Sequence, residues 1–373
     1  KHFMHPSQPA LLDARALSSV GGISRVTQHI VAGLRELDRP GFDIVLWGDP
    51  HAIGDLPDWC RVHPSLRSGV EWYGQRKIGA IPPHSGGIYL EQIRPLRDWK
   101  TATIIYDTIQ LRAPSAGAIE RRARTAFLRH VAQRSGQVLT VSEHARRSIE
   151  DDLGCHANSI RRVRLPMDGN LAAKVRSRRR QLALDPAWSP DDILFVGQMS
   201  WHKNVEGLLR STAAAAPSCT LRIFGARPGE RDKIHRMGAA AGVSKLDVVA
   251  DTTEESLISR YANARVLVLP SFEEGWGLPV WEAIACGIPV ISSTGGSLPE
   301  LESFSIAPFR CVPVGSVDNP IDHHFAAAIS DAASAPAPDP AWLNANSIRA
   351  LENAPTQAEL ANEIIDAITR TRT

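Results

Sequence analysis

Residues 270–289 read Pro-Ser-Phe-Glu-Glu-Gly-Trp-Gly-Leu-Pro-Val-Trp-Glu-Ala-Ile-Ala-Cys-Gly-Ile-Pro. The apolar, β-branched run at residues 264–270 before this stretch predicts a buried strand. A loop with two glycines follows, and Pro279 suits the first position of a helix because its missing N–H costs nothing there. Gly287 is placed to end that helix. A strand, loop and helix in this order are typical of an α/β domain with a parallel sheet.

Two carboxylates occupy fixed places in this unit. Glu274 lies on the loop at the carboxyl end of the predicted strand, where open α/β sheets bind their ligands. Glu282 is predicted in the first turn of the helix, where the macrodipole favours a negative charge. Together they could present two hydrogen-bond acceptors to one polyhydroxylated ligand. Alternatively, Glu282 only caps the helix and Glu274 is a solvated loop charge.

With seven residues between the two glutamates, this segment resembles the Glu-x7-Glu signature of the retaining family 4 glycosyltransferases. The resemblance continues in the same order from Leu11 to Pro299. It implies an α/β GT-B fold, in which two Rossmann-like, doubly wound domains face each other across a cleft. It also implies that Glu274 binds the sugar hydroxyls of a donor and that Glu282 binds the ribose. The donor-binding residues of the same segment would include Gly275, Gly277 and Leu278.

A chain of 373 residues is long for a single hydrophobic core and suits two domains. We predict an acceptor domain over residues 1–170 and a donor domain over residues 171–350. The family architecture implies that a C-terminal helix, at about residues 356–373, packs back on the first domain. The polar, Arg-rich segment from about residue 168 to 190 is predicted to be the linker.

The cysteines and the hydropathy predict a cytoplasmic protein. The five cysteines are scattered, with no Cys-x-x-Cys pair, which argues against a disulfide framework or a zinc site. No run approaches the ~20 apolar residues needed to cross a bilayer. The first residues also lack the basic-then-apolar layout of a secretory signal.

The charge is distributed unevenly along the chain. Residues 1–170 contain 23 Lys and Arg against 17 Asp and Glu, whereas the remainder contains 19 against 23. This asymmetry predicts an anionic partner for the first domain. Because no recognised nucleic-acid-binding module accompanies the charge, we do not expect that partner to be nucleic acid.

Residues 118–134 have helical spacing and several arginines. The apolar face is predicted to contain Ile119, Ala123, Phe127 and Val131. One interpretation is a core helix with a solvated basic face. The other is docking on the anionic inner face of a membrane that presents a lipid-linked acceptor. The basic clusters at residues 161–164 and 176–180 favour the second interpretation somewhat.

In the first domain, the resemblance indicates two candidate sites. Gly21 and Gly22 open a helix, and in the family the matching loop approaches the donor diphosphate and the acceptor. Asp107 lies at a strand end where family members often have His-Asp, but Tyr106 replaces the histidine here. Asp107 could accept a hydrogen bond from the donor sugar or the acceptor. It could equally be a plain turn former.

In the second domain, the loop after the strand at residues 192–197 matches a family loop with two cations. Lys203 matches the lysine that contacts the donor diphosphate, and a fixed ammonium could stabilise a departing diphosphate. Gln198 stands where the family commonly has an arginine. Gly225, at the next strand end, is implied to contact the base.

After the signature comes the glycine-rich loop Ser293-Thr-Gly-Gly-Ser-Leu-Pro-Glu-Leu301. Backbone N–H groups at such a loop and helix start could bind a phosphate. We therefore predict that Gly295, Gly296 and Ser297 donate to the diphosphate.

The resemblance implies a retaining hexosyltransferase, for which we expect no cofactor. No obligatory metal is expected either, because no Asp-x-Asp pair follows a strand. The donor would be a nucleotide-diphosphate sugar. The loop before Lys203 and the Ser-Leu-Pro-Glu300 motif resemble bacterial polysaccharide mannosyltransferases, which makes GDP-mannose the first expectation; UDP-glucose and dTDP-rhamnose stay open. The acceptor would be a glycan, such as one growing on a polyprenyl diphosphate. The alternatives are a nucleotide-sugar epimerase and a nucleotide-sugar-binding protein with degenerate catalysis.

Overall fold

The computed structural model describes residues 10–13, 22–38, 44–47, 50–62, 102–135, 137–216, 218–249, 253–315 and 323–372. The chain forms two compact units, with a passage from the first to the second after Pro166 and a return after Ala354. Unit 1 comprises Lys1–Arg112, Ala116–Pro166 and Pro355–Thr373; unit 2 comprises Ala113–Ser115 and Met167–Ala354.

Unit 1 has two three-stranded parallel sheets in its described part. The strands pair in the orders β1-β2-β3 and β4-β5-β6. They are β1 (Ala10–Asp13), β2 (Ile44–Trp47), β3 (Cys60–Val62), β4 (Ala102–Ile104), β5 (Gln137–Thr140) and β6 (Ile160–Arg162). The helices are α1 (Gly22–Arg35), α2 (Pro50–Ile53), α3 (Ala118–Arg134) and α4 (Glu143–Leu153).

Helix α4 shows how local sequence sets an element in this unit. Ser142 precedes it in an extended conformation, and its side chain accepts a hydrogen bond from the Ala145 N–H at 3.0 Å. Gly154 ends the helix with φ of +67°, a left-handed conformation that favours glycine. Ser142 is therefore the N-cap of this helix.

The apolar face predicted for α3 is wrong in its first half. Ile119 is 85% exposed and Ala123 is also exposed, whereas Leu128, Val131 and Ala132 are buried. The reason is that only the second half of the helix lies over apolar groups of unit 1. An exposed isoleucine therefore stands beside arginines at the start of this helix.

Unit 2 is built on one six-stranded parallel sheet with the order β12-β11-β10-β7-β8-β9. Its two central strands, β7 and β10, are buried along their whole length. Near-continuous apolar runs of this kind are expected where helices cover both faces of a parallel sheet. The strands are β7 (Asp192–Val196), β8 (Thr220–Phe224), β9 (Leu246–Val249), β10 (Ala264–Leu269), β11 (Val290–Ser293) and β12 (Phe309–Val312).

Seven helices of unit 2 are described, and most of them alternate with these strands. They are α5 (Gly169–Leu182), α6 (Val205–Ala215), α7 (Arg231–Ala241), α8 (Glu254–Asn263), α9 (Leu278–Ala285), α10 (His323–Ser334) and α11 (Pro340–Glu352).

The predicted linker from about residue 168 to 190 is wrong over most of its length, because it forms α5. The high arginine content suggests a solvated segment, but residues spaced by four form a buried face of this helix: Leu171, Val175 and Arg179. Arg179 is fully buried. Its Nη1 donates to the Cys286 carbonyl at 2.7 Å, and its Nη2 donates to the Tyr261 carbonyl at 3.2 Å. Arg179 thus ties together the ends of α8 and α9.

The last helix, α12 (Gln357–Arg372), lies against α1 in unit 1. A Cβ atom on Gly33 would collide with the Gln357 backbone, so the two helices approach closely only because residue 33 is glycine. Gln357 Nε2 lies 3.0 Å from His29 Nδ1, and Glu363 accepts from Arg164 Nε at 2.7 Å. None of the helices in the described ranges has the length and apolarity needed to cross a bilayer.

Candidate functional site

The candidate site lies in unit 2, at the carboxyl edge of its sheet. All strand pairs of this sheet are parallel, so the loops that follow the strands emerge on the same edge. Ligands of open α/β sheets bind at this edge. Four described loops bear on the predicted site: residues 197–204, 225–230, 270–277 and 294–297.

The loops after β7 and β10 bring Lys203 and Glu274 into direct contact. Lys203 Nζ lies 2.6 Å from Glu274 Oε1, and both side chains are largely buried. Lys203 ends a short 3-10 turn, after which Asn204 adopts φ of +49° and accepts from the Gly207 N–H at 3.0 Å to cap α6. The backbone around the lysine is therefore fixed by the start of a helix. Two residues predicted to act on different parts of a donor are ion-paired with each other.

The surroundings of Glu274 favour its ionised form. Burial by itself raises the pKa of this carboxyl, but the Lys203 ammonium and the hydrogen bonds from Lys203 and Ser271 outweigh it. The pKa of Glu274 therefore lies below its ordinary value. Ser271 Oγ donates to the same oxygen, Oε1, at 2.6 Å. The site holds a carboxylate that can accept further hydrogen bonds.

His202 joins the two loops through its backbone. Its carbonyl accepts from the Phe272 N–H at 2.7 Å. Burial lowers the pKa of the imidazole to about 4, so the side chain is neutral at physiological pH. His202 therefore adds no positive charge next to Lys203.

The glycine-rich loop packs on the backbone of the loop that carries Glu274. A Cβ atom on Gly295 would lie 2.5 Å from the Phe272 carbonyl, and one on Gly296, where φ is +70°, would collide with the Glu274 backbone. The Ser297 N–H and Oγ donate to the Glu274 carbonyl at 3.0 and 3.1 Å. These contacts fix the backbone of Glu274 against the glycine-rich loop.

This packing changes the prediction for the phosphate-binding amides. The Ser297 N–H donates to Glu274, and the Gly295 N–H donates to Ser293 Oγ at 3.1 Å. Two of the three predicted amides therefore have partners inside the protein. Among the hydrogen bonds of the described residues, none uses the Gly296 N–H. Of the three amides predicted to bind the diphosphate, only that of Gly296 therefore stays a candidate.

Glu282 does not lie in the first turn of its helix, as the sequence predicted. Gly277, with φ of +87°, precedes α9, and Leu278 is its first residue, so Glu282 is the fifth. The position of the helix start after a left-handed glycine accounts for the difference. The Glu282 carboxyl is buried, and its Oε2 accepts from Tyr261 Oη at 2.6 Å. Gly275 is buried beside Glu274.

Gly197 and Gly225 lie side by side at the ends of β7 and β8, and Gln198 follows Gly197. Gly225 has φ of +95°, and a Cβ atom on it would lie 3.4 Å from the Gly197 carbonyl. Gln198 Oε1 accepts from Arg227 Nε at 3.0 Å and from Arg227 Nη2 at 2.5 Å. Gln198 thus holds the guanidinium of Arg227 in place.

The remaining predicted site residues belong to unit 1. Asp107 follows β4, and its Oδ1 accepts from the Ile109 N–H at 3.0 Å, a contact typical of a turn former. Gly22 begins α1, and Gly21 lies outside the described residues. A direct role of these three residues in binding stays a prediction.

The sequence interpretation missed several residues that shape the site. Ser271 lies within the signature stretch, and its spacing of three from Glu274 is a turn signal. Tyr261, Arg179 and Arg227 have no such local signal, because their partners are far away in the sequence.

Three kinds of comparison with known proteins bear on this chain. Residues 185–303 match the family model described as glycosyl transferases group 1. This range contains Lys203, Glu274, Glu282 and the glycine-rich loop.

Among curated proteins, the O-antigen chain mannosyltransferase B of Escherichia coli is 38% identical over 116 residues, which are 29% of this chain and 30% of that protein. The serotype-specific mannosyltransferase WbdA of Escherichia coli is 24% identical over 223 residues, 57% of this chain and 27% of that protein. The matches thus span less than a third of these relatives' lengths. Among solved structures, sucrose-phosphate synthase from Thermosynechococcus elongatus superposes with a TM-score of 0.69 at 18% identity, over 98% of this chain and 99% of that one.

Proposed function

We propose that this protein is a retaining hexosyltransferase with a nucleotide-diphosphate sugar as donor. Residues 185–303 match the family model of glycosyl transferases group 1, and the chain has the GT-B fold. The observation that carries the proposal is the buried pair of Lys203 and Glu274 at the carboxyl edge of β7 and β10. An ammonium and a carboxylate side by side match a ligand with a phosphate next to sugar hydroxyls.

The proposed chemistry uses the two charges differently. Glu274, kept ionised, accepts hydrogen bonds from sugar hydroxyls and fixes the hexose. Lys203, with the Gly296 amide, stabilises the negative charge that develops on the departing diphosphate. The bond from the anomeric carbon to the phosphate oxygen breaks, and a bond to the acceptor oxygen forms on the same face. The acceptor's proton passes to the leaving phosphate oxygen.

The first candidate for the donor is GDP-mannose. The support is that two relatives matched over parts of this chain are named mannosyltransferases. The reaction is proposed to need no metal ion. The acceptor is proposed to be a glycan or a polyprenyl-diphosphate-linked glycan in the biosynthesis of a cell-surface polysaccharide, which would take place in the cytoplasm.

The proposal is tested by thermal unfolding of the whole chain with GDP, UDP, ADP, dTDP and their common sugars, each in EDTA. A ligand at about a hundred times its Kd stabilises the folded state by about 2.7 kcal/mol. We expect one nucleotide to raise the melting temperature by about 5 °C.

Each other outcome of this screen has a distinct meaning. A shift that needs a divalent metal would contradict metal independence, and no shift with any nucleotide would contradict the donor site. Selective binding without transfer to a broad acceptor panel would identify a binding protein. Interconversion of free nucleotide sugars without an acceptor would identify an epimerase.

A membrane contact through the start of α3 is a further part of the proposal. Ile119 is 85% exposed there, next to the exposed Arg121 and Arg122. An apolar side chain among cations suits the interface of an anionic bilayer. We expect cosedimentation with phosphatidylglycerol vesicles that is reduced in Ile119→Ser with Arg122→Ala; equal sedimentation of both proteins would contradict the contact.

A further inference from the structure

Lys203 alone cannot neutralise the negative charge of a diphosphate bound at the carboxyl edge of the sheet in unit 2. Lys203 is paired with Glu274 at 2.6 Å, so the pair has no net charge. Burial keeps His202 neutral by lowering its pKa to about 4. A nucleoside diphosphate brings more than one negative charge to this edge. The site needs a cation that no carboxylate of the protein already neutralises.

The segments that follow the strands of unit 2 contain one other candidate for this cation. The segments that follow the six strands are residues 197–204, 225–230, 250–253, 270–277, 294–297 and 313–322. Their basic residues are His202, Lys203 and Arg227. Arg227 is exposed, and among the described residues no carboxylate forms an ion pair with its guanidinium. Arg227 is thus the cation whose charge is available.

The guanidinium of Arg227 is held in a fixed orientation. Its Nε and Nη2 donate to Gln198 Oε1 at 3.0 and 2.5 Å. An arginine has five N–H donors, so three remain for a ligand. The acceptor is a neutral amide, and the positive charge is therefore oriented without being cancelled. A carboxylate at residue 198 would orient the arginine equally well but would neutralise it.

The backbone around Arg227 is also fixed next to the loop of Lys203. Glu230 accepts from the Arg227 N–H at 2.8 Å and from the Met199 N–H at 3.3 Å. One carboxylate therefore joins the loop after β8 to the loop after β7. The Gly197 N–H donates to the Phe224 carbonyl at 2.8 Å, which closes the same two strand ends together.

We propose that Arg227 is the second cation of the diphosphate-binding site and that Gln198 is its positioning residue. The inference rests on the proposed function, because it assigns a part of the same donor site. It also explains how the site can function with a glutamine at residue 198, where the family that the sequence resembles commonly has an arginine. The positive charge comes from Arg227 after the neighbouring strand, and Gln198 holds the guanidinium there.

The test measures the Kd of GDP and GMP, and of UDP and UMP, by calorimetry on the full chain. The proteins are the wild type, Arg227→Ala and Gln198→Ala. Charge-assisted hydrogen bonds are stronger than neutral ones. We expect Arg227→Ala to raise the Kd of the bound diphosphate by about 10- to 100-fold and that of its monophosphate by much less. Gln198→Ala should raise the diphosphate Kd by about 3- to 10-fold, since the guanidinium keeps its charge but loses its orientation.

The matched control is Arg236→Ala, which removes the same charge from an exposed position further along α7. Its diphosphate Kd should stay within about twofold of wild type, because an exposed charge further from the site is screened by solvent. Gln198→Glu should weaken diphosphate binding although it keeps the contact to Arg227.

The failures of this test are distinguishable. If wild type binds a diphosphate and Arg227→Ala binds it equally well, the inference is wrong and the proposed function stands. An equal loss of affinity for the mono- and the diphosphate in Arg227→Ala would also overturn the inference, since Arg227 would then not bind the second phosphate. If wild type binds neither diphosphate, the proposed function fails and the inference fails with it. Melting temperatures of all variants show that each protein is folded.

Discussion

Lys203→Met is expected to lower the rate of glycosyl transfer by about 10²- to 10³-fold. The ammonium is 2.6 Å from Glu274 and fixed by the capped start of α6, so little reorganisation is needed when charge develops on the leaving diphosphate. Removing one preorganised donor of this kind from a transition state costs about this factor. The loss should appear mainly in kcat, measured with the donor that the nucleotide screen identifies.

The control for this prediction is Lys233→Met, which removes an exposed lysine from α7 in the same unit. Its kcat should equal that of the wild type. Glu274→Gln should also lose transfer activity, because a neutral amide accepts fewer hydrogen bonds from sugar hydroxyls. The double variant should lose less than the product of the two single losses, since each single change leaves a buried partner unpaired. Full transfer activity in either single variant would contradict the site assignment.

Arg179→Met is expected to lower the free energy of unfolding by about 2–4 kcal/mol. The fully buried guanidinium donates to the Cys286 and Tyr261 carbonyls, and each buried carbonyl left without a donor costs about 1–3 kcal/mol. Burial lowers the pKa of Arg179 to about 10, so it is still charged at pH 7, and its removal also relieves a desolvation cost. We expect the loss of both carbonyl partners to dominate because methionine fills the space but donates no hydrogen bond.

Urea unfolding of Arg179→Met and Arg180→Met measures this effect with an adjacent control. Arg180 is exposed on the same helix, and its replacement should change the stability by less than about 0.5 kcal/mol. If both variants are equally stable, the desolvation relief offsets the lost hydrogen bonds. Because Arg179 bonds to α9, which carries Glu282, and to Tyr261, which contacts Glu282, Arg179→Met should also weaken nucleotide binding.

Two helices differ from what the sequence predicts, one because of its composition and the other because of its apolar spacing. The polar, Arg-rich composition from about residue 168 to 190 predicts a linker, yet α5 forms there and buries Leu171, Val175 and Arg179. In α3 the apolar spacing predicted a face that includes Ile119, which is exposed. In both cases the pattern is compatible with a helix. Which face is buried depends on the groups that the rest of the fold places against it.

The sequence by itself determined the α/β architecture, which is confirmed, and the placement of the polar groups at strand ends. Apolar runs, helix-starting prolines and glycines act within a few residues, so strand, loop and helix can be predicted locally. The presence of Glu274 and Lys203 on strand-end loops followed from this pattern. Their direct role in transfer stays a prediction, as do those of Asp107, Gly21 and Gly22.

The tertiary structure alone decided which of these groups meet. The sheet order places β10, β7 and β8 side by side, although β7 and β10 are separated by two other strands in the chain. Lys203 therefore pairs with Glu274, and Gln198 holds Arg227, across distances in sequence that no local pattern spans. The physical reason is that side-chain pairing follows the order of strands in the sheet, and that order is set by the packing of the whole domain.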